Sequence, residues 1–419
     1  MSSAQGVFAA AGRPDLLDRR TGAIVFLAFA AAYFCSALVR AINATLSPVL
    51  TQDFSLHARD LGLLAGGYFL GFAAVQLPMG KWLDSYGPKR VSVCFLAVAV
   101  IGCLAFSVAT TFTGLLVARV LVGVGVSACL MAPMTGYRRW FDAPSQLRAT
   151  SWMLMTGALG MLASTLPVQW LLPLMGWRPL FWILAALILL AILAIAWLAP
   201  AWQLPEKALQ DKSSSSYGDV WASRYFRKLL PLAVFNYGGM VAIQTLWATP
   251  WMIRVAGYTP LEAATGLFYL NATMLVTFWS WGMVNPWLAR NGFSADRLMS
   301  WGLPLSLLVL AVNIWGGAHT GWVGWAAFCM ASSVLGLAQS SIGLAFRPAL
   351  AGRALSAYNL GIFGGVFVVQ WGIGLMIDAF AGLGWSTVAS FQGAMSVFLC
   401  CCIASYAYFA SVTADNSPQ

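Results

Sequence analysis

Apolar stretches of roughly twenty residues, the length of helix that crosses a ~30 Å hydrocarbon core, recur along this chain from Ala23 to Ala410 with short polar breaks between them. Twelve can be delimited, near 23–49, 61–80, 91–110, 114–136, 149–172, 179–199, 229–253, 264–287, 299–316, 322–346, 354–377 and 388–411. Inside a bilayer the backbone polar groups must be bonded internally, so these spans are predicted as membrane-crossing helices, an all-α chain. A β-barrel is excluded, because its strands would alternate in polarity over segments of about ten residues. Composition agrees. The chain is 60% hydrophobic and 9% charged, where a soluble domain has roughly 25% charged residues, so most of its surface faces lipid.

A net charge of +10 would point to nucleic acid in a soluble protein, but the placement of the positives explains it differently. With a cytoplasmic N-terminus, one side holds Arg13, Arg19, Arg20, Lys81, Lys89, Arg90, Arg138, Arg139, Arg148, Lys207, Lys212, Arg224, Arg227, Lys228, Arg290, Arg297, Arg347 and Arg353, eighteen of twenty-three. The opposite loops hold Arg59, Arg178 and Arg254, while Arg40 and Arg119 fall within spans. The positive-inside rule therefore places both termini in the cytoplasm, and no nucleic-acid partner is expected. Residues 1–22 read as an attached tail, without the short apolar core and cleavage site of a signal peptide. All eight cysteines lie in spans and read as small packing residues.

The one long hydrophilic break, 201–228, carries the run Ser213 to Ser216 and the cluster Arg224, Arg227 and Lys228. It reads as a cytoplasmic linker between six-span bundles at 23–200 and 229–411, with 412–419 a short tail. A shift of 205 residues lays Arg148-Ala149-Thr150-Ser151 on Arg353-Ala354-Leu355-Ser356, Gly160 on Gly365, Trp82-Leu83 on Trp287-Leu288 and Gly87 on Gly292. Such agreement points to a parallel duplication, with a solute pathway between the halves near the midplane.

Between the second and third spans stands Gly80-Lys81-Trp82-Leu83-Asp84-Ser85-Tyr86-Gly87-Pro88-Lys89-Arg90. This run resembles the signature loop of the major facilitator superfamily: glycine, three residues, aspartate, then glycine and two basic residues. Ser85 departs from the pattern, which usually has a basic residue there, and the second half carries Ala289 where Asp84 would map. Arg119 followed by Gly123 and Gly125 is similar to the family's second motif, a buried arginine with small residues for tight packing. The resemblance implies a twelve-helix transporter with two pseudo-symmetric six-helix bundles in the bacterial inner membrane. It also implies a gate latch at Gly80, Asp84, Gly87, Lys89 and Arg90, with Arg119 in gating or coupling. Gly80 is expected to allow close helix approach, Asp84 to face a helix N-terminus or a basic partner, and Gly87 with Pro88 to make the turn.

Ionisable groups inside a membrane are costly, roughly 2.5–3.5 kcal/mol on insertion scales, so each is a candidate site residue. On the first span Tyr33, Ser36, Arg40, Asn43 and Ser47 share one face by their spacing of three and four. Arg40 either grips an anionic solute or bonds neighbouring helices; the Arg40 to Pro48 stretch resembles organophosphate antiporters, whose first-helix arginines bind substrate. The seventh span offers Tyr237, Gln244 and Trp247, with Thr245 where a second arginine would fall under the repeat. Tyr68, Gln76, Tyr269, Asn271, Gln339, Asn359 and Phe363 complete the candidate lining, each with a purely structural alternative.

No Asp or Glu falls in mid-membrane; all thirteen lie in tails, loops or helix ends, with Asp53 and Asp378 near pore ends. That absence favours a small organic anion, moved by alternating access with or without a proton, over the alternative of proton-coupled efflux of drugs or metabolites. Copper transport through Cys129, Met131 and Met134 is a weaker reading, as are a non-transporting sensor and a membrane enzyme. No cofactor, no metal and a monomeric state are expected.

Overall fold

A computed structural model describes residues 16–202 and 217–412. The run Ser213 to Ser216, Arg13, Lys207, Lys212 and the tail beyond 412 lie outside the described residues. The first half comprises α1 (Arg19–Phe54), α2 (Ala58–Ala74), α3 (Gln76–Val108), α4 (Phe112–Val126), α5 (Met131–Trp140), α6 (Ala143–Ala163), α7 (Leu166–Met175) and α8 (Trp177–Leu198). The second comprises α9 (Tyr217–Ala222), α10 (Arg224–Pro231), α11 (Gly238–Ala242), α12 (Ala248–Arg254), α13 (Pro260–Arg290), α14 (Ala295–Gly316), α15 (Trp322–Ser332), α16 (Gly336–Ala345), α17 (Pro348–Gly382) and α18 (Thr387–Ser411).

Ten helices among the described residues are long and apolar enough to cross a membrane, and a pair bent by 42°, Pro144–Ala163 with Leu166–Met175, makes an eleventh candidate. Gly87 accounts for the difference from twelve. Its φ of 77° and ψ of 165° break α3, so the part before it continues α2 and the part after it is the next span. The second span thus runs on past Gly80 to the turn itself. The linker also differs from the sequence reading, because α9 and the start of α10 are helical within 201–228.

Local chemistry places the helix ends. The Asp18 carboxylate caps α1, accepting from the backbone N–H of Arg20 at 3.1 Å and Thr21 at 3.2 Å, and the Thr111 hydroxyl caps α4 through Gly114 N–H at 3.1 Å. The duplication has structural counterparts. Gly87 and Gly292 turn with φ of 77° and 78°. A Cβ on Gly160 would lie 2.4 Å from the Phe34 carbonyl of α1, and one on Gly365 2.4 Å from the Val234 carbonyl, so each glycine seats its helix against the first helix of its own half.

The halves meet along α2 and α17. Asp378, near the end of α17, accepts from Ala58 N–H at 3.1 Å and Arg59 N–H at 2.9 Å, capping α2 from the other bundle. At the terminus-bearing end the Tyr217 hydroxyl donates to the Leu77 carbonyl at 2.8 Å. Between α10 and α12 the chain winds into wider π turns at Leu232–Tyr237 and Ile243–Trp247, a feature the spacing pattern did not announce.

Candidate functional site

Arg40 sits partly buried in the middle of α1, and Tyr33, Tyr68 and Tyr237 ring its guanidinium. Tyr237 comes from the second half, so this centre lies where the bundles face each other. The Arg40 guanidinium also stands 5.9 Å from the Phe72 ring centroid. Arg119 reaches the same place from α4. It is 0% exposed, lies 5.2 Å above the Tyr68 ring, and donates from a terminal guanidinium nitrogen to the Arg40 carbonyl at 3.3 Å. Two arginines therefore share one tyrosine and one stretch of backbone, as the sequence pattern placed neither beside the other.

Neither arginine takes part in an ion pair with another described residue, in contrast to His57 and Arg59 with Asp60 and Lys228 with Asp296. Around them, polar atoms lack hydrogen bonds: Arg40 Nε, both amide atoms of Asn43, and Arg119 Nε and Nη1, while the Tyr68 hydroxyl lies within the influence of the Arg40 guanidinium. A buried donor or acceptor left unmade costs ~1–3 kcal/mol. Such a concentration on the facing surfaces of α1 and α4 is the mark of a site built to bond something polar.

The other candidates divide. Gln244 donates to Asn271 Oδ1 at 2.9 Å, and Asn271 donates to the Leu267 carbonyl at 3.0 Å. Gln339 donates to Asn359 Oδ1 at 2.9 Å. Trp247 is fully buried, its indole N–H on the Gln370 carbonyl at 3.1 Å. These are bonds that hold the second half together. Gln76 Nε2 turns back to the Phe72 carbonyl of its own turn at 3.3 Å, leaving Oε1 without a partner. Phe363 packs against Phe72, with ring centroids 4.3 Å apart, and closes the α2–α17 seam. Tyr269 is 47% exposed and packs on Trp322 at 5.1 Å, away from the arginine centre; an aromatic on a span's outer face has the same spacing signature as one on its inner face.

The signature loop folds as a turn, with one correction. Nothing approaches within 4 Å of a Cβ on Gly80, so that glycine does not serve close helix approach. The contact is at Gly87, where a Cβ would lie 2.2 Å from the Trp202 ring. Trp202 carries the Arg139 guanidinium 4.4 Å from its ring and donates to the Asp84 carbonyl at 3.4 Å. Lys89 donates to the Ala199 carbonyl at 2.9 Å. The Asp84 carboxylate is exposed, with Arg138 and Arg353 the cations acting on it, and Arg90 is exposed. Trp202, just beyond α8, was missed because a tryptophan at a span's end reads as an interfacial anchor.

Residues 29–370 match the sequence profile of the Major Facilitator Superfamily. The hexuronate transporter of Escherichia coli strain K12 is 26% identical over 150 residues, 36% of this chain and 35% of that protein. The 4-hydroxybenzoate transporter of Acinetobacter baylyi is 26% identical over 148 residues, 35% and 32% of the two chains. An efflux pump of Aspergillus parasiticus is 33% identical over 104 residues, 25% and 20%. The chain thus spans about a third of the first relatives' length. A solved bacterial homolog of the human lysosomal transporter Spinster, inward-facing and unoccupied, shares the fold along its length: TM-score 0.76, 17% identity, covering 94% of this chain and 97% of that one. With the profile covering most of the chain and the signature loop forming a turn between two spans, this protein is a member of the major facilitator superfamily.

Proposed function

We propose that this protein carries a small organic anion, a carboxylate-bearing metabolite, across the bacterial inner membrane by alternating access. The observation that carries the reading is Arg40, a cation facing Tyr237 of the other half and backed by Arg119 from inside the first half, with no carboxylate paired to either among the described residues and with unbonded polar atoms around them. A carboxylate entering there meets charge-assisted donors and offsets the desolvation of both cations. Tyr33, Tyr68 and Tyr237 supply hydroxyls and apolar walls, and Asn43 both an amide donor and an acceptor.

The relatives lend support, since hexuronate and 4-hydroxybenzoate each carry a carboxylate. Efflux of a cationic compound is disfavoured by the same electrostatics, because a second positive charge would enter a site with no acid to receive it. A proton can accompany the anion on the solute itself. A thermal-shift panel of hexuronates, aromatic carboxylates, sulfonates, neutral sugars and cationic drugs on the purified protein is the first test, followed by liposome flux with the stabilising compounds. Stabilisation and flux confined to anions is the expected result. Flux of a cation or neutral sugar with no response to any anion would overturn the reading.

A further inference from the structure

We propose that the cavity at the end of the molecule opposite the termini is a second anion station, where Arg254 meets a carboxylate or sulfonate before the solute reaches the Arg40–Arg119 centre. It rests on the reading above only for the sign of the solute's charge. The cavity is an open cleft of about 680 Å³ between the halves, with Ser47, Thr51 and Ser55 on one wall and Trp247, Arg254 and Thr387 on the other. That volume suits a small-molecule site, ~300–1,000 Å³. Ser47 lies seven residues from Arg40 along α1, so the cavity opens ~10 Å from the central cation. The buried Trp247, tied to the Gln370 carbonyl, forms part of its wall.

Charge is distributed unevenly here. The lining contains Arg254 and His57 but no Asp or Glu. Each carboxylate at this end has partners, and two of them, Asp60 at His57 and Asp378 at Ala58, bond lining residues without themselves lining the cavity. Asp53 accepts from the Trp177 indole at 2.7 Å. Asp378 caps α2. Glu262 accepts from the Thr259 backbone at 2.8 Å. Asp60 accepts from the His57 backbone at 3.1 Å, with the His57 ring nitrogen at 3.4 Å and Arg59 Nε at 3.6 Å. Arg178 is also committed, donating to the Ala109 carbonyl at 2.9 Å. Arg254 is thus a lining cation outside the ion pairs given above, beside a cleft whose low-dielectric walls focus its field. Ser55, on the rim, has a φ of 51°, the single non-glycine positive φ among the described residues. This left-handed residue is the C-cap that ends α1 and turns the chain into α2, its N–H on the Thr51 carbonyl.

The test reads the local potential and needs no transported solute. Thr387→Cys is introduced into the full chain in liposomes, and its reaction rates with sulfonatoethyl and trimethylammonioethyl methanethiosulfonate are compared with those of a free thiol. The unsubstituted chain supplies the background. The expected result is about a tenfold preference for the anionic reagent, shrinking towards unity in 1 M salt and in Arg254→Gln; Arg59→Gln leaves it unchanged. A ratio indifferent to Arg254, or a preference for the cationic reagent, overturns the proposal. Ser47→Cys on the facing wall repeats the measurement should Thr387→Cys fail to fold. Because the thiol measurement needs no transported solute, an Arg254-dependent preference that persists when no anion is carried would sink the central reading alone, so failure at the central site and failure here remain distinguishable.

Discussion

Arg40 and Arg119 are positioned by different means, and the difference separates their expected phenotypes. Arg119 is locked, fully buried over Tyr68 and bonded to backbone, whereas Arg40 is partly exposed among three tyrosines. Loss of the Arg40 side chain should therefore act on the solute more than on the fold. Arg40→Ala is expected to lower flux at least ~30-fold at equal expression, from ~2 kcal/mol or more of lost charge-assisted bonding. Arg40→Lys should restore little, because an ammonium lacks the planar fork of the guanidinium. Near-normal flux in liposomes containing Arg40→Ala would remove this residue from the site. Arg119→Ala should reduce flux and also lower the melting temperature, since it strips the Tyr68 ring of its packing and leaves the Arg40 carbonyl without that donor.

At the scale of elements, contact depends on glycine where backbones touch. A Cβ on Gly123 of α4 would lie 1.9 Å from the Tyr68 carbonyl of α2, so Gly123→Ala must push apart the two helices that carry Tyr68 and Arg119. A cost of ~1–3 kcal/mol is expected from overpacking, visible as a lower melting temperature, and unchanged melting would show that α2 and α4 can separate freely. The cap that Asp378 places on α2 is a bond between bundles. Gly374 lets it form, since a Cβ there would lie 2.4 Å from the Ala58 carbonyl. Asp378→Ala removes two charge-assisted bonds to a helix N-terminus. Cysteines placed at this end of α2 should then react several-fold faster with polar thiol reagents, and unchanged rates would mean the bundles do not part there.

Across the whole molecule, the two ends of the α2–α17 seam are tied differently. One end uses Asp378; at the other, Asp84 lies in the field of Arg353 of α17 and of Arg138, and Tyr217 donates to the Leu77 carbonyl, while Gly87 under Trp202 and Lys89 on the Ala199 carbonyl hold the signature loop within the first half. Asp84→Asn discharges the acid that Arg138 and Arg353 act on. It should weaken closure of the terminus-bearing end, raising thiol-reagent access there and lowering turnover while solute binding survives. Unchanged access would place Asp84 outside the latch. Trp202→Ala should act in the same direction, because the Gly87 turn would lose the ring that covers it.

Membrane residence, helix positions, the duplicated halves and the signature loop were legible from sequence, because apolar run length, charge sorting and a motif are properties of the chain taken in order. Helical spacing also put Ser36, Arg40 and Asn43 on one face. What spacing could not do was choose partners across helices. Gln244 with Asn271 and Gln339 with Asn359 satisfy each other, Tyr269 faces outward, and Gly80 touches nothing while Gly87 meets Trp202. Whether a polar side chain in a membrane is spent on a neighbour or left for a solute depends on which helices pack together. Only the tertiary structure decides that, and it brings Arg119 of α4 to the backbone of Arg40 and pairs neither with a carboxylate among the described residues.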